Sequence, residues 1–276
     1  MALTVITNLA SLNAQRNLGK TTSALSKTYQ RLSSGLRVNS AVDDAAGLGI
    51  STRFTAEVRG MNMAVRNVND GISLLQVADG SLDETTNALQ RMRELAVQAA
   101  SGTLTSTDRT NLNAEFSQLL SEVDRIGSNT KFNGRFLLFG SVTAVQVQVG
   151  AYSGQLLSIT LASATTAALL TAGVQISGTA GTEAMSAITT IDAAIASVAS
   201  IRATIGSLQS RFESVISTLN NTSVNTSAAN SRIMDADIAS ETANLTRNSI
   251  LQQAAASILS QANQQPQIAL TLLNGR

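Results

Sequence analysis

The chain of 276 residues contains no Cys, no His and no Trp, and only 3% of its residues are aromatic. Thiol nucleophiles, imidazole acid–base catalysis, disulfides and the commonest zinc ligands are therefore excluded, and we predict no enzyme activity, no metal and no cofactor. A formal net charge of +1 with scattered basic residues argues against a nucleic-acid partner. The lack of an apolar run of about eighteen residues argues against a membrane partner.

The amino-terminal segment has neither a basic leader region nor a continuous apolar core. The sequence therefore predicts no cleaved secretory signal, and places the protein in the cytoplasm or on an export route without cleavage. Leucines seven residues apart predict a helix in the first 33 residues. Its apolar positions are Val5, Leu9, Leu12, Leu18, Leu25 and Leu32. Because this stripe is thin, we expect the helix to fray in a single copy and to become ordered by packing against other copies.

Two adjacent carboxylates and several glycines lie in RLSSGLRVNSAVDDAAGLGIS, residues 31–51. Asp43 and Asp44 are placed to accept backbone N–H groups at the start of a helix, where negative charge complements the helix dipole. A catalytic pair would need a His or a metal cluster beside it, and neither is recognisable. Gly47 and Gly49 favour close helix packing over a phosphate-binding loop. We interpret this stretch as a joint between helices.

Apolar residues keep a seven-residue repeat from Val58 to Ala96. Spacings that alternate between three and four predict one long helix with a seam for partner helices. One row of this seam is Met61, Val68, Leu75, Leu82, Leu89 and Ala96. Beside it we place Val58, Val65, Ile72, Asp79, Thr86 and Arg93, a row that is apolar at first and polar later. A helix over residues 44–99 would be about 80 Å long.

Two further amphipathic helices are predicted. A turn at residues 101–104 ends the long helix, and Thr105 with Asp108 forms a capping box for the next one. Its stripe is Leu112, Phe116, Leu119, Val123 and Ile126, and we expect Gly127 to close it. The third helix carries Ile188, Ile191, Ile195, Val198, Ile205, Phe212, Ile216 and Leu219. Three such helices bury their apolar faces most simply in a coiled-coil-like bundle that pairs the two halves of the chain.

Short strands are predicted between the second and third helices. Valines alternate with glutamines from Val145 to Val149, and Asn133-Gly134 and Ser153-Gly154 provide turn signals. Residues 162–182 are small and polar, and we interpret them as a surface loop. The predicted fold class is therefore mainly α, with a small β-hairpin region in the middle of the chain.

The carboxy-terminal segment, residues 238–276, repeats the thin stripe of the first helix. Its members are Ile238, Leu245, Leu251, Ala254, Ile258 and Ala262, and we expect Pro266 to allow this helix to end. Asp235 and Asp237 precede the stripe, and with their small polar neighbours they indicate a second joint rather than a metal site. The charged residues 90–94 are typical of a solvated helix face, with an interaction surface at Arg91 and Arg93 as the alternative.

Four stretches closely resemble bacterial flagellin. They are residues 31–51 given above, LQRMRELAVQAA at 89–100, TKFNG at 130–134, and SAANSRIMDADIASETANLTRNSILQQAAASILSQANQQPQ at 227–267. The resemblance covers about residues 1–140 and 185–276 in the order of the family. It implies a long antiparallel helical bundle, or coiled coil, made by pairing the amino- and carboxy-terminal halves. The ending LLNGR, with Asn274, Gly275 and Arg276, departs from the family.

The resemblance also implies a division into four parts. Residues 1–33 and 238–276 form an inner terminal-helix domain, with packing at Leu18, Leu25, Leu32, Leu251 and Ile258. Residues 34–47 and 224–237 form connecting spokes, with Gly35, Asp43, Asp44, Asp235 and Asp237 at the helix entries. Residues 48–130 and 183–223 form a helical rod domain. Residues 131–182 form a short hairpin and loop region in place of the large outer domains of many flagellins.

The function implied by the resemblance is that of a structural subunit of the flagellar filament, outside the bacterium. Copies would leave the cell unfolded through the flagellar type III channel, without signal cleavage, and polymerise head-to-tail into a tube that transmits motor torque for swimming. Implied partners are the flagellar cap, the hook–filament junction proteins and an export chaperone at the C-terminal helix. A vertebrate Toll-like receptor binds flagellins through a pattern that matches Gln90, Arg91, Leu95 and Glu115.

Two other functions remain open on the residues alone. A hook–filament junction protein has similar ends but caps a junction without polymerising indefinitely. A cytoplasmic coiled-coil scaffold would explain the helical periodicity without any export. The matches LQRMRELAVQAA and FNG favour a flagellin over both.

Overall fold

The computed structural model describes residues 7–140, 144–170, 173–178 and 181–274, with side chains through residue 266. Its helices are α1 (Leu9–Ser34), α2 (Ala45–Ala99), α3 (Ser106–Asn129), α4 (Thr166–Leu169), α5 (Thr182–Met234) and α6 (Ile238–Asn274). Its strands are β1 (Lys131–Phe132), β2 (Arg135–Phe136), β3 (Val145–Gln148) and β4 (Leu156–Ile159). The chain divides into a terminal unit, residues 1–56 with 225–276, and a central unit, residues 57–224.

The seam of α2 holds the central unit together. The first predicted row is buried throughout, with Leu75, Leu82 and Leu89 all at 0% exposure. The second predicted row, from Val58 to Arg93, is wrong, because its members are half-buried or exposed. The buried companion row is Ala64, Gly71, Ala78, Thr85, Met92 and Ala99. Its small residues carry little hydropathy signal, yet they allow partner helices to approach closely.

Helices α2 and α5 run antiparallel, which confirms the predicted bundle. Arg202 of α5 donates to Asp79 (2.9 Å) and to Asp83 (2.8 Å) of α2. Further along α2, Arg93 donates to Asp192 at 2.6 Å. Residue numbers therefore rise along α2 as they fall along α5. These ion pairs flank the apolar seam and fix the register in which it closes.

The connection from α2 to α3 contains the predicted capping box. The Asp108 N–H donates to the Thr105 hydroxyl (3.3 Å), and the Thr105 N–H donates to the Asp108 carboxylate (2.9 Å). Arg109 follows the capping box, has no distinguishing sequence pattern and is 4% exposed. Its Nε donates to the Ala99 carbonyl at 2.8 Å and its Nη2 to the Ser101 carbonyl at 3.0 Å. A cation there satisfies carbonyls that the end of α2 leaves without intrahelical partners.

Gly127 does not close α3, so that prediction is wrong. The helix continues to Asn129, and Gly127 is buried within it. A Cβ at this position would lie 2.8 Å from the Ala164 carbonyl oxygen and 3.0 Å from the Thr165 Cα. Close backbone packing therefore requires a glycine at position 127. In the sequence, a glycine required for packing cannot be distinguished from one that ends a helix.

Two antiparallel hairpins follow α3, as predicted. Strand β1 pairs with β2 around Asn133-Gly134, and β3 pairs with β4 so that Val147 faces Leu157. The predicted surface loop is wrong for much of residues 162–182. Its buried members among the described residues are Ala164, Thr165, Leu169, Leu170, Ile176 and Gly181. This segment packs along α3, where the Ile176 N–H donates to the Asn113 side chain at 2.9 Å.

The terminal unit consists mainly of α1 packed against α6. Helix α1 ends at Gly35, whose φ of +72° and N–H donation to the Arg31 carbonyl form a left-handed helix cap. The predicted stop at Pro266 is wrong, because α6 runs through it to Asn274. Proline removes one backbone donor but leaves the bonds of the neighbouring turns intact. Val5 and the ending residues Gly275 and Arg276 lie outside the described residues.

Among the described residues, α5 is the one helix whose length and composition would also suit a membrane span, with a window of mean hydropathy 1.5. Its apolar row is nevertheless used inside the protein: Ile191, Val198, Ile205 and Phe212 are buried in the core of the central unit. Packing in this core accounts for the large apolar residues of that row.

Candidate assembly surfaces

The contact between α1 and α6 is largely made of small and polar side chains. Asn8 donates to the Ala262 carbonyl at 2.7 Å, and the Ser11 hydroxyl donates to Asn263 at 2.7 Å. At the other end of α1, Asn248 donates to the Thr28 hydroxyl at 3.5 Å. The predicted packing residues of α1 are Leu18, Leu25 and Leu32. Their seven-residue spacing from Ser11 places them on the side of α1 that contacts α6. Leu25 is buried, whereas Leu18 and Leu32 are half-buried.

Besides Ile238 at its start, α6 carries three large aliphatic side chains that are exposed. Ile250 and Ile258 are each 61% exposed, and Leu251 is 49% exposed. We call them the outward row. Leu251 and Ile258 were predicted to pack in the inner domain, and within one copy of the chain they have little cover. Ile250 was missed because it lies outside the seven-residue stripe. Clustered exposed aliphatic side chains mark an interaction surface.

The two predicted joints contact each other directly. Leu36 and Asp235 form an isolated antiparallel β-bridge. The Arg37 N–H donates to the Met234 carbonyl at 2.6 Å, and the Ala236 N–H donates to the Gly35 carbonyl at 2.9 Å. Helix α5 remains regular until Met234, so only residues 235–237 separate it from α6. The sequence showed two joints but gave no signal that they pair.

Two of the four joint aspartates, Asp44 and Asp237, cap helices, so the interpretation is confirmed for Asp44 and wrong for Asp43. The Gly47 N–H donates to Asp44 at 2.8 Å at the start of α2, and the Ala239 N–H donates to Asp237 at 2.9 Å at the start of α6. Asp43 instead binds Lys27 of α1 at 3.1 Å. The Lys27 ammonium lowers the pKa of Asp43 below its ordinary value, with smaller contributions from neighbouring hydrogen bonds. Asp235 accepts from the Ser231 hydroxyl.

The glycines of the first joint differ in role. Gly47 is buried, and a Cβ there would lie 3.3 Å from Ile233 and in collision with the Asp44 carboxylate. Gly49 is exposed with nothing within 4 Å of the corresponding point. Close helix packing is therefore confirmed for Gly47 and wrong for Gly49.

Arg91 and Glu115 lie together on the exposed side of α2 and α3, and Gln90 is exposed beside Arg91 on α2. Arg91 binds Glu115 and Glu94, each at 2.9 Å. These carboxylates raise the pKa of Arg91, with Glu94 contributing most. The guanidinium lines a groove of about 670 Å³ between α2 and α3 whose apolar floor includes Leu119 and Ile126. This charged surface is solvent-exposed and fixed in geometry by ion pairs.

Leu95 does not belong to that surface, which corrects the prediction. Its side chain is 1% exposed and forms part of the core of the central unit. The position lies one helical turn after Arg91, but on the edge of the seam where α2 meets its partner helices. Leu95 therefore packs α2 into the core and supports the exposed residues of this surface only indirectly.

No group of three or more Asp, Glu, His or Cys side chains suited to a metal ion occurs in the part of the chain that the structure describes. The closest pairs of carboxylates have other roles. Asp79 and Asp83 are both bound by Arg202, and Asp43 and Asp44 hold Lys27 and the first turn of α2. These carboxylates therefore take part in ion pairs and helix capping within the protein.

Comparison with known proteins agrees with this geometry. The bacterial flagellin N-terminal helical region matches residues 5–143, and the bacterial flagellin C-terminal helical region matches residues 188–273. A flagellin of Halalkalibacterium halodurans is 47% identical, covering 96% of this chain and 98% of its own. The flagellar filament 33 kDa core protein of Treponema phagedenis is 40% identical, covering 96% and 98%.

A solved structure shows the same fold. It is described as a flagellar hook-associated protein from Vibrio parahaemolyticus, and it aligns with a TM-score of 0.56 at 17% identity, covering 70% of this chain and all of its own. At that identity the likeness concerns the helical architecture alone.

Proposed function

We propose a specific assembly role for the outward row, starting from the fact that the chain belongs to the bacterial flagellin family. As a flagellin, it is a structural subunit of the flagellar filament and assembles with copies of itself outside the bacterium. The family is one of structural proteins. In our proposal, Ile250, Leu251 and Ile258 form contacts between neighbouring subunits.

Exposure of the outward row carries this proposal. Each of these side chains is about half or more exposed, and burying a Leu or Ile side chain contributes about 1.5–3 kcal/mol. The opposite side of α6 is already occupied by α1, so a second contact would use a separate surface. Contacts between unlike surfaces of successive copies form a ring when the rotation between copies closes and an open helical polymer when it does not. A filament subunit uses the open arrangement, which gives a head-to-tail helical polymer that can transmit torque.

Seeded elongation tests the outward row. We expect the triple variant Ile250→Ser, Leu251→Ser and Ile258→Ser to remain helical as a monomer but to fail to extend filament seeds in electron micrographs. Met185→Ser is the matched control, since Met185 is 63% exposed in the central unit. Elongation of the triple variant at the rate of the control would refute the proposal.

The four-part division is proposed on the same family basis. Residues 1–33 with 238–276 would form the inner domain, 34–47 with 224–237 the spokes, and 48–130 with 183–223 the rod. Residues 131–182 would form the short outer region. The contact of α1 with α6 and the bridge between Leu36 and Asp235 support the first two assignments.

Assembly would also stabilise the ends of the chain. Their mutual contact relies on small and polar side chains, so we expect amides of residues 8–33 and 240–266 to exchange quickly in dilute monomer and slowly in filaments. Equal protection in both states would contradict this expectation. The measurement is hydrogen exchange read by mass spectrometry.

The remaining partners follow from the family. Export through the flagellar type III channel suits a chain without Cys, because no disulfide can lock it before passage. An export chaperone would cover α6, and cap and junction proteins would contact the filament ends. If the chain were a junction protein instead, purified monomer would bind filament seeds without extending them.

Receptor recognition is proposed for Gln90, Arg91 and Glu115, with Leu95 as a buried support. An NF-κB reporter assay with purified monomer should respond, and Arg91→Ala should weaken the response because it removes both ion pairs. Lys27→Ala is the control, since Lys27 forms an exposed ion pair with Asp43 in the terminal unit and does not line the groove that Arg91 lines. A monomer that gives no response removes this proposal.

A further inference from the structure

The tip of the β1–β2 hairpin places an exposed asparagine directly before a glycine. Asn133 has a φ of +47° and Gly134 a φ of +79°, the left-handed pair of a two-residue hairpin turn. Within the described residues the Asn133 side-chain amide makes no hydrogen bond, although its neighbours Phe132 and Arg135 are paired across the turn. No hydrogen bond therefore holds the side-chain amide in place, and Asn-Gly is one of the residue pairs that adopt this turn conformation.

We propose that Asn133 is a site of spontaneous conversion to isoaspartate, controlled by opening of the hairpin. The Gly134 nitrogen attacks Cγ of Asn133, the side-chain nitrogen leaves as ammonia with the Gly134 amide proton, and a cyclic imide forms. Water then opens the imide at either carbonyl, giving aspartate or isoaspartate. The reaction consumes one water, releases one ammonia and needs no oxidant or reductant. Gly134 favours it because no Cβ shields the attacking nitrogen.

The folded turn restrains this reaction. Ring closure requires the Gly134 nitrogen to lie on the same side of the Asn133 Cα–C bond as Cβ. In the left-handed conformation that nitrogen points away from the side chain. Asn133 must therefore leave the turn conformation, which disrupts the pairing of Phe132 with Arg135. Folding slows the reaction without abolishing it.

The isoaspartate product would disturb the core of the central unit. It adds a methylene to the main chain within a turn that sets the position of Leu137 and Leu138, both 0% exposed. The Leu137 N–H donates to Thr130 at 3.0 Å, and the Leu138 carbonyl accepts from Ala164 at 2.9 Å. A longer turn shifts these anchors, whereas the aspartate product keeps the native backbone.

Incubation in mildly alkaline buffer made with heavy-oxygen water tests the site. Peptide mass spectrometry locates incorporated oxygen, and an isoaspartyl methyltransferase distinguishes the two products. In urea, Asn133 should react about tenfold faster than asparagines not followed by glycine. In native buffer Asn133 should still react, but more slowly than in urea. Equal reactivity of Asn133 and those asparagines in urea would overturn the site, and equal rates in both buffers would overturn control by the hairpin.

Two variants complete the test. Asn133→Gly keeps a residue pair that the turn accepts and should incorporate no label at this position. Asn133→Asp supplies the charge without the longer backbone. Amides of Leu137 and Ala164 should exchange faster in the isoaspartate fraction than in Asn133→Asp. Equal exchange would show that the modification leaves the core untouched, against the proposal.

Discussion

The central and terminal units are built from similar helices but differ in where their large apolar side chains lie. In the central unit, Leu75, Leu82 and Leu89 are fully buried along one seam. In the terminal unit, Ser11 and Thr28 are buried, while Ile250 and Ile258 are exposed. The central unit therefore completes its core within one copy, whereas the terminal unit leaves large aliphatic side chains of α6 exposed within one copy.

This difference explains how one chain can be both a stable monomer and a polymerising subunit. A full apolar seam supplies folding free energy in proportion to the area that it buries. A polar seam holds two helices in register at a much smaller net gain, because each hydrogen bond replaces one with water. Specific changes in each unit can test this contrast.

The largest change in stability is expected when a buried leucine of the central unit is truncated, in comparison with an exposed isoleucine of the terminal unit. Leu82→Ala should lower the free energy of unfolding of the central unit by about 2–5 kcal/mol, because it leaves a cavity in the seam. Ile258→Ala should leave monomer stability nearly unchanged, since its side chain is 61% exposed. Urea unfolding followed by circular dichroism measures both. Similar losses in the two variants would remove the contrast between the units.

A pair of glycines gives the next largest effect. Gly127→Ala should destabilise the central unit by about 1–3 kcal/mol, because its Cβ would collide with backbone atoms of Ala164 and Thr165. Gly19→Ala in α1 should stabilise the terminal unit by about 0.5–1 kcal/mol, because the position is open and alanine favours a helix. Thermal unfolding reports both changes. Opposite signs are the expected result, and equal signs would contradict it.

A smaller effect is expected at the entry to α6. Asp237→Ala should cost about 1 kcal/mol by removing the helix cap, and it should speed amide exchange at Ala239 and Ser240, which donate to this carboxylate. Asp235→Ala is the control, since Asp235 accepts from Ser231 and does not cap α6. Unchanged exchange at Ala239 would show that the cap contributes little.

The smallest expected effect is a pH dependence of stability that arises from Asp43. Folding lowers the pKa of Asp43 below 3.8, chiefly through Lys27. Its stabilising contribution is therefore present above pH 3.8 and is lost as the pH falls through the lower folded value. In Lys27→Met the pKa of Asp43 should rise toward 3.8, and the variant should differ in stability from the unmodified chain at neutral pH but not in strong acid. Carbon NMR of the Asp43 carboxyl measures the shift, and an unchanged pKa would exclude the ion pair as its cause.

Much of the fold was predictable because the apolar periodicity is strong. Helix α2 and the row from Met61 to Ala96 follow from large residues at heptad spacing, and Thr105 with Asp108 marks the start of α3. The companion row from Ala64 to Ala99 was missed because small residues give little periodic signal. The burial of Ala164, Thr165, Leu169, Leu170 and Ile176 was missed because their cover comes from α3, which no local pattern reveals.

The candidate surfaces were predicted less well, for a related reason. Leu95 follows Arg91 by one helical turn. The sequence alone does not show whether position 95 faces solvent with Arg91 or faces the buried seam of α2. Leu251 and Ile258 fit the stripe of α6, yet the contact with α1 uses the more polar side. Pairings between distant segments, such as Leu36 with Asp235, depend on tertiary closure and have no sequence signature.

The hydrogen bond from Asn8 to Ala262 spans 254 positions of the chain. A ribosome must therefore add 254 residues after Asn8 before this bond can form. Until then α1 has no α6 to pack against, and a product truncated before α6 would never acquire one. Packing of α1 therefore depends on translation that continues through α6.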